Sequence, residues 1–204
     1  MKALKLLLAV FVIVAFESPS SAQYWGEYNT SFFAYAGFSS LNSQKTGTLP
    51  GATVGIGHIR QVGFGHVYWD VDLRGTFNSA TVNKLESRTS NVRISLDLLR
   101  QFELADKTYL FPYVGLGCKA ILSGKSTWNN KLISRWVGDH SMGGSRFNTG
   151  IQFGMRFFMK KLYVGAEYHI AFLKTFGDYS FRPSDKTTLS SRFREFSATV
   201  GFRF

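Results

Sequence analysis

Phe196-Ser-Ala-Thr-Val-Gly-Phe-Arg-Phe204 stands at the end of the sequence. Phe196, Ala198, Val200, Phe202 and Phe204 share one parity, and Ser197, Thr199, Gly201 and Arg203 share the other. Alternate residues of a strand point to opposite faces. The stretch therefore predicts a strand with one apolar and one polar face, its apolar face running to the last residue. In water such a face needs other elements to cover it, whereas in a membrane-spanning barrel lipid covers it.

The opposite end of the sequence agrees with export. Lys2 and Lys5 form a basic start, Leu6 to Phe16 is an apolar run, and Ser18-Pro-Ser-Ser-Ala22 is small and polar. This is the pattern of a cleavable secretory signal over residues 1–22, with a mature domain from 23 to 204. The apolar run falls short of the roughly 20 residues that a spanning helix needs.

Between the two ends, the alternation recurs. Strand candidates run from Thr30 to Ser40, where aromatic residues on both faces leave the orientation open, and from Ala52 to about Gln61. Others are His66 to Phe77, Val92 to Leu98, Tyr109 to Ala120, Phe147 to Phe157 and Leu162 to Phe172, and the closing stretch is the eighth. Pro112 removes a ladder donor and is expected near a strand end. The connections alternate: 41–49, 79–90, 123–146 and 174–190 are long and polar, whereas 62–65, 103–107 and 159–161 are short. Eight strands of about ten residues with alternating long and short connections are the form of a transmembrane barrel. The fold class expected is all-β: a closed antiparallel eight-stranded transmembrane up-and-down β-barrel. A closed barrel leaves no unpaired edge in lipid.

The whole mature stretch resembles the small eight-stranded bacterial outer-membrane barrels of the OmpA, OmpX and opacity-protein type. Phe111-Pro-Tyr-Val-Gly-Leu-Gly117 is similar to a segment common in that family. The resemblance implies an outer-membrane location and contact with outer-membrane lipid and lipopolysaccharide. It also implies insertion by the barrel-assembly machinery, with Phe204 and the parity of Phe202, Val200, Ala198 and Phe196 as insertion signal. It leaves the role open, because this architecture hosts adhesins, anchors, enzymes and narrow pores.

Lys plus Arg is 24 against 13 Asp plus Glu, a net charge of +11. A basic exported chain points to anionic lipid or acidic glycans; no zinc-finger spacing, RNA-binding signature or basic helix suggests nucleic acid. Cys118 is the sole cysteine of the sequence, so it cannot form an intrachain disulfide or a cysteine-based metal cluster. The pairs Gly55-x-Gly57, Gly63-x-Gly65 and Gly115-x-Gly117 lack the third glycine and following helix of a phosphate loop. No cofactor or metal site is expected.

Three groups of residues carry candidate chemistry. Asp70, Asp72, Arg74, Arg93, Asp97, Arg156, Glu167 and His169 fall on inward parities and are expected to form an interior polar network. An eight-stranded lumen is just filled by side chains, so opposite charges there pair or stay wet; the inward glycines leave room for water. The second group lies in 123–146: Lys125, Trp128, Lys131, Arg135, Trp136 and Arg146 combine cations with aromatic rings and suit an acidic glycan or a host-surface ligand. The third is enzymatic. An outer-leaflet lipid hydrolase of this architecture carries a His and, two residues on, a Ser, with an acid elsewhere. Here Glu167 and His169 share a face, but Ala171 stands where the Ser belongs, Ser141 beside His140 is in a loop, and His66 is near the periplasmic end. The expected role is therefore a non-catalytic surface barrel, with a lipid-modifying enzyme or a narrow channel as alternatives.

Overall fold

The computed structural model describes residues 30–43, 47–62, 66–82, 85–128, 131–135, 147–173, 178–182, 185–188 and 192–204. The expected signal segment lies outside them. In chain order the strands are β1 (Thr30–Ser43), β2 (Gly47–Gln61), β3 (Val67–Val82), β4 (Leu85–Arg100), β5 (Phe102–Ala105) and β6 (Thr108–Trp128). They continue with β7 (Lys131–Arg135), β8 (Phe147–Met159), β9 (Leu162–Ala171), β10 (Asp178–Arg182), β11 (Asp185–Thr188) and β12 (Phe193–Arg203).

Eight of these close the barrel. β1, β2, β3, β4, β6, β8, β9 and β12 pair antiparallel in that order, and β12 returns to β1. The β1–β12 seam runs from Phe33 opposite Arg203 to Ser43 opposite Phe193. Phe32 and Phe204 extend it by exchanging two backbone hydrogen bonds of 3.1 and 2.9 Å. The closing sequence stretch is thus the strand that seals the cylinder.

The two faces follow the alternation. Leu96, Leu98, Leu116, Phe153, Met155, Val164, Val200 and Phe202 are exposed on the outer wall. An apolar belt of this extent on a water-facing monomer would be anomalous; on a barrel wall it is the lipid contact. β1 resolves its own ambiguity: Phe33 and Tyr35 are buried inside, and Phe32 and Phe38 face out.

The lumen is filled differently along its length. At the end with the tight turns, the periplasmic end of such barrels, Phe33, Tyr35, Ile59, Tyr68, Leu99, Phe111, Tyr113, Phe158 and Tyr163 form one cluster. The Phe33 and Tyr163 rings stack with centroids 4.9 Å apart, and Phe111 meets Phe158 edge-on at 5.5 Å. Toward the other end Leu41, Leu49, Ala171 and Phe193 form a smaller cluster. The inward glycines do not leave voids: a Cβ on Gly57 would run into the Phe33 ring, and one on Gly55 into the Tyr35 ring.

Three sequence expectations change. The connections expected at 41–49 and 79–90 are largely strand, and the one at 123–146 is strand over 123–128 and 131–135: β1 and β2 continue to Ser43 and from Gly47, β3 and β4 pair up to Val82 and Leu85, β6 runs to Trp128, and β7 pairs with it. Within 174–190 stands the β10–β11 hairpin. Pro112 lies inside β6 rather than at its end. The β4 ladder stops at Leu99 opposite Tyr113 and β5 resumes at Phe102 opposite Leu110, so the residue without an N–H falls in the gap.

Candidate functional site

The mid-lumen holds a dense ionic network. Arg74 of β3 meets Glu167 of β9 through two parallel hydrogen bonds of 2.9 and 3.0 Å. It also donates to Ser197 Oγ at 2.6 Å and through Nε to the Tyr35 hydroxyl at 2.8 Å, and that hydroxyl donates to Asp72 at 2.6 Å. Glu167 accepts further bonds from Arg93 and, at 2.7 Å, from Tyr113. Arg156 of β8 joins Asp70 to Asp97, the latter at 2.8 Å, and Gln152 donates to Asp97 at 2.6 Å. The Arg156 guanidinium also lies over the Tyr113 ring, 4.3 Å from its centroid. Of the eight barrel strands, seven contribute a partner. β2 instead supplies the glycines on which the rings sit.

Asp70, Asp72, Arg74, Arg93, Asp97, Arg156 and Glu167 are thus brought together as the sequence suggested. Lys119 and Glu195 form a further buried ion pair, β6 to β12, that the expected network omitted. Both were legible by parity: Lys119 follows Gly117 by two, and Glu195 precedes Ser197 by two. Among the described residues, four buried bases and five buried acids nearly cancel, as charges removed from water must. His169 shares the room but not the bonding. It is fully buried opposite Glu195 and Gln152, and neither ring nitrogen has a protein hydrogen-bond partner. Its ring lies over Gly150. A lumen position separates His169 and Glu167 from outer-leaflet lipid, and Ala171, the residue two on, is buried as well. His140 and Ser141 lie outside the described residues. Among the described residues, no group of three or more His, Cys, Asp or Glu is placed to hold a metal ion.

The second candidate site is the sheet raised above the barrel by the outer ends of β3, β4 and β6 and by β7. A bulge at Leu122 shifts the β4–β6 register, so that Asn91 faces Ile121 and Ser90 faces Ser123. Beyond it, pairing places Ser79 opposite Arg88, Arg88 opposite Lys125, and Lys125 opposite Arg135. Paired residues share a face. Arg88, Lys125 and Arg135 therefore occupy neighbouring positions in one row, across roughly 10 Å at the usual strand spacing. Arg88 itself is on the outward face: it is exposed, while Thr89 is buried inside. Trp128 lies in a different row, opposite Leu85 and Lys131. Among the expected residues, pairing thus joins Lys131 to Trp128 and Lys125 to Arg135. Trp136 and Arg146 lie outside the described residues. Sequence reasoning missed Arg88 as a member of the row, because the register that unites it with Lys125 depends on the bulge.

The comparisons with known proteins fit this architecture. Neisserial surface protein A aligns over 86% of this chain and 97% of its own, with 13% identity and a TM-score of 0.51. Ail, the attachment invasion locus protein of Yersinia pestis, whose structure holds the heparin analogue sucrose octasulfate, covers 86% and 99% at 11% identity and a TM-score of 0.46. The outer membrane enzyme PagL covers 84% and 97% at 14% identity and a TM-score of 0.47. At 13% identity the likeness to Neisserial surface protein A is one of fold. No curated protein sequence matches the chain. The family model for the outer membrane protein beta-barrel domain matches residues 6–204, and with the closed eight-stranded cylinder and its lipid-facing belt this chain belongs to that family.

Proposed function

We propose that this outer-membrane barrel is a non-catalytic surface protein that binds a polyanion on the raised sheet. The acidic glycans and sugar phosphates of cell surfaces are its ligand class. The observation that carries the reading is the row Arg88, Lys125 and Arg135. Like charges directly opposite one another weaken a sheet, and here three stand in sequence. The Glu86 carboxylate meets Arg88 in a surface ion pair, which contributes little in water. A ligand with regularly spaced sulfates or phosphates relieves the repulsion along the whole row. The lumen supports the non-catalytic part: its carboxylates, guanidinium groups and Lys119 are bonded to one another beneath the raised sheet, and the aromatic cluster fills the periplasmic end against a solute path.

The test is the triple variant Arg88→Gln, Lys125→Gln, Arg135→Gln, assembled in vesicles and titrated with a sulfated glycan such as heparin at rising salt. Wild type is expected to bind with an affinity that falls as salt rises, and the variant to lose at least tenfold at low salt. Equal binding by both at every salt concentration rejects the row as the site. Hydrolysis of outer-leaflet lipid by the purified barrel would reject the non-catalytic reading, and stable conductance steps in planar bilayers would reject the sealed lumen.

A further inference from the structure

The periplasmic rim carries a second concentration of positive charge, and the backbone binds its parts together. The β5–β6 hairpin turns at Asp106 and Lys107, and the β8–β9 hairpin at Lys160 and Lys161. The Lys160 N–H donates to the Lys107 carbonyl at 3.0 Å, and the Arg203 N–H donates to the Lys161 carbonyl at 2.8 Å. Two turns and the closing strand are thus joined in series, and the two turns contribute Lys107, Lys160 and Lys161 to one stretch of rim. Arg60 and Arg100 stand elsewhere on the same rim; the acids described there are Glu103 and Asp106.

Lys107 and Lys160 both have φ of 55°. Glycine and asparagine take that left-handed region at lower steric cost. Lysine at both positions sets charge where backbone preference argues for another residue, and an observed outlier of this kind motivates a functional hypothesis. Depth identifies the partner. Lys160 follows Met159, and Arg203 stands between Phe202 and Phe204, all three of these apolar residues being exposed on the lipid-facing wall. Phe102 and Leu104 of β5 are exposed beside them. The exposed turn lysines therefore begin where the apolar belt ends, at the level of lipid phosphates, to which long basic side chains extend from an apolar surface, whereas Arg203 stands on the inward parity opposite buried Phe33.

We propose that Lys107, Lys160 and Lys161 form a binding site for the phosphate groups of anionic phospholipid in the inner leaflet. A cation near an anionic leaflet is expected to enrich such lipid by about fivefold.

The test uses the full barrel in mixed bicelles of phosphatidylglycerol and phosphatidylcholine, with retained lipid counted by native mass spectrometry. Wild type is expected to retain phosphatidylglycerol at least fivefold over phosphatidylcholine. Lys107→Gln, Lys160→Gln, Lys161→Gln together should abolish the preference, and the same three positions as Arg should keep it. Heat-modifiable gel mobility checks that each variant is assembled. Should the triple Gln variant not assemble, Lys160→Gln and Lys161→Gln singly, both at exposed turn positions, are each expected to lower the preference. Neutralising Arg88, Lys125 and Arg135 should leave it unchanged, which separates this site from the outer row. A wild type without preference, or an assembled Gln variant that keeps it, overturns the proposal. So does loss of binding to purified peptidoglycan in the Gln variant with lipid preference intact, which would assign the rim to the cell wall instead.

Discussion

The lower and upper halves of β4 obey different rules. From Asn91 to Leu99 the strand alternates strictly: Asn91, Arg93, Ser95, Asp97 and Leu99 are buried, and Leu96 and Leu98 are exposed to lipid. From Leu85 to Ser90 it pairs on both sides as before, yet Glu86, Arg88 and Ser90 replace the apolar outer face. The lower half has lipid outside and a packed lumen inside, and both environments select against an unpaired charge. The upper half has water on its outer face, where charge is tolerated. Arg93 and Arg88 are therefore different kinds of residue five positions apart on one strand: the first is buried, bonded to Glu167, and builds the barrel, and the second is exposed, with only a surface ion pair to Glu86.

If the contrast holds, a lumen charge should matter far more than a raised-sheet charge. The largest effect is expected at Glu167, which receives Arg74, Arg93 and Tyr113. Glu167→Gln leaves two buried guanidinium groups short of an anion, and breaking a buried pair in this way costs about 3–5 kcal/mol. Urea unfolding of the assembled protein in vesicles measures it. A loss below about 1 kcal/mol would mean that the lumen is wet enough to treat its charges as surface charges.

Lys119 and Glu195 sharpen the same point. Lys119→Met should cost about 3 kcal/mol by isolating the Glu195 carboxylate, whereas Lys119→Met with Glu195→Leu should recover most of that loss. Failure of the double variant to recover would show that the pair fixes strand register rather than balancing charge.

This contrast also explains what the sequence revealed. The eight spanning strands were legible because lipid imposes a period of two on one face. Trp69, Val71 and Leu73 against Tyr68, Asp70, Asp72 and Arg74 needed no structure to be assigned. Above the membrane nothing enforces that period, so 79–82, 85–90, 123–128 and 131–135 look like loop although they are paired strand. The lumen network was legible by parity alone, Lys119 and Glu195 included. The basic row was not, because it depends on the extra residue Leu122, and a bulge leaves no mark in the pattern of polar residues. The space above inward glycines was misread for a related reason: only the structure shows that Phe33 and Tyr35 occupy it.

The closing strand belongs wholly to the membrane regime, so its outer face should matter in assembly. Phe204→Ser keeps the backbone bonds to Phe32 and removes a ring that is 74% exposed. Assembly by the barrel-assembly machinery, followed by heat-modifiable mobility, is expected to fall several-fold for Phe204→Ser, and much less for Arg203→Gln. Equal assembly of the two variants would reject the terminal ring as part of the insertion signal.

The smallest effect is expected at the outer row, and its smallness is the sharper result. Arg88, Lys125 and Arg135 sit at paired positions, where like charges oppose one another at roughly 0.2–1 kcal/mol per pair. Glu86 returns little of this through its exposed ion pair with Arg88. Converting all three to Gln should therefore leave unfolding free energy within about 0.5 kcal/mol of wild type, or raise it slightly, with the gain vanishing in high salt as screening removes the repulsion. The same variant should lose polyanion binding. Stability and binding then move independently, as they must if these residues are kept for a ligand and not for the fold. A stability loss comparable to that of Glu167→Gln would instead make the row part of the structure, and the division between the two halves of β4 would fail at the residues that define it.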